Sequence, residues 1–324
     1  MTRPPLTLVV GLTLIAACEA LLAVDVHDRG GLIMGHDVMT LSQLPRPQTP
    51  LQRAARLAAV NMTPLCWLGY LLSFDGLLAW LARRRGEPAL ASLRARPNRF
   101  LVAWLTSVPM WCWFDWINFR FMDAWRYFGM PPHFSQRVVG YFIAFAAISP
   151  GMFLAAQFYQ ALGLRRLPRQ PVRIPGWVQG LVMGLGVLFV LYPFLVTDAI
   201  ACLTLWVSLI FLLDPICYWL KLPSLIGDWQ AGRWGRTLAL MAGGATCGFL
   251  WEFWNYWALS KWTYHLPFLG SLEHYRYFEM PWLGFLGFLP FPIECWLALN
   301  LIIYGLDRVG LKVAEPLPDA NAIF

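Results

Sequence analysis

The chain has 324 residues, of which 58% are hydrophobic and only 13% charged, with a mean hydropathy of +0.53. That balance excludes an ordinary soluble domain and describes a polytopic helical membrane protein. The net charge of +7 does not point to nucleic acid, because the Arg residues fall in short blocks between apolar runs, as cytoplasmic loops of membrane proteins do.

The first apolar run, Leu6–Val24, has the length that crosses a bilayer core and follows Arg3. Within it Ile15-Ala16-Ala17-Cys18 is similar to a lipoprotein cleavage signal, but small residues before a Cys are common in uncleaved spans, which is the reading adopted. Asp25–Arg56 is a polar connection, and Leu57–Ala82 is the second span. The most basic loop follows, with Arg83, Arg84, Arg85, Arg94, Arg96 and Arg99, and belongs inside. Helix three covers about Phe100–Phe121, the connection Met122–Ser135 lies outside, and helix four, about Val138–Leu162, returns to Arg165, Arg166, Arg169 and Arg173.

Helix five is read over Trp177–Val196, and helix six ends at Leu220 after a tight turn near Thr197-Asp198. Lys221, Arg233 and Arg236 mark a third inside loop. Helix seven covers about Thr237–Ala258, Leu259–Met280 lies outside, and helix eight, about Pro281–Ile303, leads to Asp307, Arg308 and Lys312 inside. The expected fold class is therefore all-α, with about eight transmembrane helices, in the inner (cytoplasmic) membrane of a bacterium.

Two stretches share a polar skeleton. Asp115, Asn118, Trp125 and Tyr127 recur at the same spacing as Glu252, Asn255, Trp262 and Tyr264. Carboxylate and amide three residues apart lie on one helix face, and an ionisable side chain at the end of an apolar run marks a candidate functional site. The pair Asp75 with Trp80 likewise matches Asp214 with Trp219. These matches describe a duplication: residues 1–162 form a first four-helix repeat, 163–175 a basic linker, 176–312 a second repeat and 313–324 a tail. Four spans per half make the repeats parallel, related by an axis along the membrane normal. The halves diverge at Glu294 near the middle of helix eight, whose counterpart is Met152.

The order of a carboxylate at the outer end of a span, then W-x-Y, then P-x-E in the next span resembles the integral-membrane lycopene cyclases, small duplicated proteins. The matching residues are Asp115, Trp125 and Tyr127 in the first half and Glu252, Trp262, Tyr264, Pro292 and Glu294 in the second. The family's double Glu is Glu294-Cys295 here and is absent at Gly151-Met152. The resemblance implies a redox-neutral cyclase or isomerase acting on an isoprenoid or carotenoid, with no cofactor and no metal. A carboxylic acid in a dry site can stay protonated and deliver a proton to a polyene end. Trp and Tyr faces stabilise the resulting cation by about 0.5–2 kcal/mol each. Glu252 and Glu294 are the expected donor and base, Asn255 orients Glu252, and Asp115 with Asn118 form the partly degenerate partner.

The same residues have plainer readings. Trp residues form interfacial belts, Glu252 with Asn255 can join helices, and Asp75 and Asp214 fit helix ends. The five His, at 27, 36, 133, 265 and 274, all fall in outside segments but show no compact metal-ligand spacing. The seven Cys are isolated, without CxxC. The alternative functions are a non-catalytic lipid-binding or scaffold membrane protein and a small-solute transporter; the expected partner is a membrane lipid or isoprenoid substrate.

Overall fold

A computed structural model describes residues 4–33, 41–87, 95–167 and 169–323. His36, Asp37 and Arg94 lie outside the described residues. The described residues form ten α-helices: α1 (Leu6–Asp28), α2 (Pro50–Val60), α3 (Met62–Arg85), α4 (Pro97–Ile117), α5 (Phe134–Ala161), α6 (Gly176–Leu195), α7 (Cys202–Trp219), α8 (Leu225–Gln230), α9 (Gly235–Trp257) and α10 (Phe291–Arg308). The protein is an all-α polytopic membrane protein, with seven helices among the described residues long and apolar enough to cross a bilayer.

Local signals explain the boundaries. Thr49 and Gln52 form a capping box with Pro50 at the first turn of α2. Pro97 opens α4, and α3 stops at Gly86, whose φ of 64° is the left-handed conformation that ends helices, directly after Arg83–Arg85. The turn near Thr197-Asp198 is made by the Asp198 carboxylate, which accepts from the Ile200 N–H at 3.1 Å.

α9 is not among the seven apolar spans, although its 23 residues are long enough. Gly243, Gly244, Thr246, Glu252 and Asn255 lower its hydropathy, and the helix tolerates them because it sits inside the bundle, packed on α5, α3 and α10. A polar helix shielded from lipid by its neighbours escapes the cost of a polar group in hydrocarbon. Gly243 permits this approach: a Cβ there would lie 2.6 Å from the Met152 carbonyl oxygen on α5. In contrast, only 17% of the apolar windows of α1 and α6 is buried, so both face lipid, while α5 reaches 61%. α1 packs on α3 as α6 packs on α7, and α5 packs on α3 and α4 as α10 packs on α7 and α9.

The two connections read as lying outside, Met122–Ser135 and Leu259–Met280, carry short strands. After α4 a π-helical turn, Asn118–Met122, ends at Asp123 with φ of 53° and leads into β1 (Trp125–Phe128). After α9 comes β2 (Lys261–Tyr264), which pairs antiparallel with β1. A second ribbon joins β3 (Arg276–Tyr277) to β4 (Met280–Pro281). The segment read as the start of helix eight is a 3-10 stretch, Trp282–Phe288, and α10 begins only at Phe291 between Pro290 and Pro292. Glu294 therefore stands in the first turn of α10 rather than mid-helix.

Candidate functional site

The two polar skeletons meet face to face. In the β1–β2 register Trp125 lies opposite Tyr264 and Tyr127 opposite Trp262, around a central Arg126–Thr263 pair. The pairing exchanges one W-x-Y segment for the other, as a local two-fold axis through the ribbon would.

Each strand is pinned by the amide of the preceding helix. Asn255 donates Nδ2–H to the Trp262 carbonyl at 2.8 Å, and its Oδ1 accepts from the Trp262 N–H at 2.8 Å. Asn118 does the same at the first strand: Nδ2 donates to the Trp125 carbonyl at 2.7 Å, and Oδ1 accepts from the N–H groups of Trp125 and Ala124 at 3.1 and 2.8 Å. In an antiparallel ladder alternate residues turn their backbone groups away from the partner strand. The two Asn side chains occupy the place of a third strand there, and both are fully buried. Asn255 was expected to orient Glu252; its hydrogen bonds go to Trp262, so it acts on Glu252 through that residue.

The indole and phenol of each W-x-Y then close on the carboxylate. Trp125 donates Nε1–H to Asp115 Oδ1 at 2.9 Å, and the Tyr127 hydroxyl donates to the same oxygen at 3.1 Å. Trp262 donates Nε1–H to Glu252 Oε1 at 3.2 Å, and the Tyr264 hydroxyl donates to it at 2.8 Å. The sets are not identical. Glu252 is fully buried with Oε2 unpartnered, whereas Asp115 uses both oxygens, its Oδ2 accepting from Tyr127 at 3.3 Å.

All four W-x-Y aromatics line one apolar cavity of about 500 Å³, closed further by Trp111, Trp206, Trp251 and Phe291 and by the 3-10 stretch before α10. Asp115 and Glu252 are not on its wall; they stand behind Tyr127 and Tyr264. Glu294 is not on the wall either. It is fully buried, its Oε1 accepts from the Leu209 N–H of α7 at 3.1 Å, and its Oε2 has no hydrogen-bond partner. Asp214 holds the start of α8 through the N–H groups of Leu225 and Ile226, a helix-end role. Among the described residues no group of three His, Cys, Asp or Glu could hold a metal ion.

Composition and spacing did not single out Trp206 and Trp111, which complete the aromatic wall. A signal for Trp206 was present. It stands 139 positions after Trp67, the separation of Asp75 from Asp214, and the two Trp rings play matching parts. Trp206 stacks on Phe114 at 5.2 Å, beside Asp115, and Trp67 meets Trp251 edge-on at 5.4 Å, beside Glu252. The residue 137 positions after Trp111 is Gly248, so the spacing match that relates Asp115 to Glu252 does not reveal Trp111. Neither a family model, nor a curated protein, nor a solved structure matches the chain.

Proposed function

We propose that the protein is a duplicated, eight-span membrane enzyme that binds an isoprenoid or carotenoid in the central cavity and isomerises or cyclises it by proton transfer. On this reading α9 is the eighth span, and residues 1–162 and 176–312 are parallel repeats in a bacterial inner membrane. The reading draws on the resemblance to the integral-membrane lycopene cyclases. It rests above all on one observation: two carboxylate–Tyr–Trp sets of matched geometry converge on a single apolar, aromatic cavity.

The chemistry is redox-neutral. Tyr264, backed by Glu252, gives a proton to the terminal double bond of the bound polyene, and Glu252 restores the phenol. The cation closes a ring or shifts its double bond while Trp and Tyr faces stabilise it. A neighbouring proton of the cation passes to Tyr127 as that phenol gives its own proton to Asp115, which returns a neutral hydrocarbon; each turnover thus moves one proton from Glu252 to Asp115, and exchange with solvent resets both carboxyls. The unpartnered Oε2 of Glu252 leaves room for a carboxyl proton, which favours Glu252 over Asp115 as the acid. Glu294, bonded to the α7 backbone, fits a supporting position better than the base role its sequence context implies.

The test is expression in cells that accumulate acyclic polyenes, with the pigment extract resolved chromatographically. A cyclised or isomerised product that disappears with Glu252→Gln supports the proposal. An unchanged extract from the wild-type protein refutes it, and the polar cluster then belongs to a lipid-binding, scaffold or transport protein.

A further inference from the structure

The aromatic cavity reaches the surface of the bundle on one side. Leu203, in the first turn of α7, and Leu286, in the 3-10 stretch Trp282–Phe288, both line it, and both are more than half exposed, at 55% and 62%. None of the seven residues of that stretch is buried, and it packs mainly against α9, with β4 and α10 next. Across from it α7 contributes Leu203, Trp206 and Val207 to the wall. The two rims belong to the apolar runs Ala199–Trp219 and Trp282–Arg308, each long and apolar enough to cross a bilayer. The opening between them therefore gives onto lipid.

Size and charge constrain what can occupy the cavity. No charged side chain lines it; its polar side chains, Thr63 and the groups of the W-x-Y segments, are neutral. A cavity of about 150 Å³ takes benzene, about 25 Å³ per carbon. On that scale the volume of about 500 Å³ holds a chain of about 20 carbons. A longer chain fits only if the remainder leaves through the opening, and that remainder loses nothing, because lipid tails are as apolar as the wall.

We propose that ligands enter sideways from the bilayer between α7 and the 3-10 stretch, and that the occupant is a linear hydrocarbon longer than the cavity, one end held among the W-x-Y aromatics and the rest left in lipid. The chemistry done at that end rests on the isoprenoid reading; the opening and the length of the chain do not. Both carboxylate–Tyr–Trp sets then act on the same end, and a chain with two reactive ends is altered one end per visit. Gly287 guards the opening. A Cβ there would stand 3.6 Å from the Trp206 ring, an ordinary contact, so a larger side chain extends toward α7 without displacing the backbone.

The protein in phosphatidylcholine nanodiscs is tested by scintillation proximity for binding of two tritiated hydrocarbons: farnesene, which fits the cavity with room to spare, and phytofluene, more than twice as long. The wild type is expected to bind both. Gly287→Leu is expected to bind phytofluene at least about tenfold more weakly, the effect of overpacking the space its outer half must occupy, and to retain farnesene with slower entry. Val207→Phe narrows the same opening from α7 and is read in the same way should Gly287→Leu fail to fold. Ala144→Leu fills the cavity from α5 and is expected to leave the ratio of the two affinities unchanged. The assay needs no turnover: binding of both chains beside an unaltered pigment extract refutes the enzyme and leaves the opening standing. A wild type that takes up farnesene but not phytofluene overturns the proposal with the enzyme untouched. So do folded Gly287→Leu and Val207→Phe proteins that weaken both chains alike, or neither.

Discussion

Asn255→Ala is expected to weaken the fold at the W-x-Y strand more than its small volume change suggests. The side chain is fully buried and makes two hydrogen bonds, both 2.8 Å, to the N–H and C=O of one residue, Trp262. Truncation strands both backbone groups beside the fully buried position of the lost amide. Each buried group left unpaired costs about 1–3 kcal/mol, so the loss is about 2–6 kcal/mol. Asn118→Ala strands three groups, the N–H of Ala124 and both groups of Trp125, and is expected to cost at least as much. Asn255→Asp is the control. A carboxylate still accepts from the Trp262 N–H but cannot donate to its carbonyl, so Asp must not restore stability although it is nearly isosteric. Equilibrium unfolding in mixed micelles, followed by tryptophan fluorescence, measures the three variants. A cost for Asn255→Ala within about 0.5 kcal/mol of wild type, the range of a surface substitution, would refute the argument that the amides serve as a missing third strand. So would recovery of stability with Asp.

Glu252→Gln is expected to lower turnover by roughly 10²–10⁴-fold, the contribution of a general acid, and Asp115→Asn by less. Glu294→Gln is expected to retain turnover, since Gln still accepts from the Leu209 N–H and the group is off the cavity wall; accumulated acyclic substrate in all three extracts decides between the carboxylates. Gly243→Val is expected to separate α5 from α9, because even a Cβ there meets the Met152 carbonyl oxygen at 2.6 Å, and a large fall in melting temperature checks it. Tail docking is expected to be pH-dependent. Burial raises the Glu315 carboxyl, but the backbone N–H groups of Arg99 and Asn98 and the charge of Arg96 outweigh it and hold the group below its ordinary value of 4.5. A depressed carboxylate contributes its stabilisation above the unfolded value and loses it as pH falls through the folded one. Hydrogen exchange over residues 314–323, corrected for intrinsic rate, should therefore stay slow near neutrality and rise well below pH 4.5; a profile flat down to pH 3 contradicts this.

The helices were legible because the signals that make them are local. Run length and Arg blocks placed seven of the eight expected helices to within a few residues at most ends, and the polar skeleton Asp115–Tyr127 was matched to Glu252–Tyr264 by spacing alone. Helix eight was misread at its start because hydropathy continues unbroken through Trp282–Phe288, while Pro290 and Pro292 move the helical start to Phe291. α9 shows the opposite failure. Its hydropathy falls short of a lipid-facing span, and only its burial between α5 and α10 explains why that is tolerated.

The sequence by itself determined the class of protein, the approximate positions of the long apolar helices, and the residue types of the candidate site, since each depends on composition and on spacings of a few residues; the short helices α2 and α8 escaped it. The tertiary structure alone decided which groups share the site. Nothing local in Trp125–Tyr127 or Lys261–Tyr264 states that the two strands pair across 137 positions, that Asn118 and Asn255 pin them, or that Trp111 and Trp206 complete the wall. Likewise nothing in P-x-E shows that Glu294 turns to the α7 backbone, or that Glu315 returns to the first turn of α4. Those choices follow from buried donors and acceptors finding partners far along the chain, a requirement imposed by desolvation and met only when the helices are assembled.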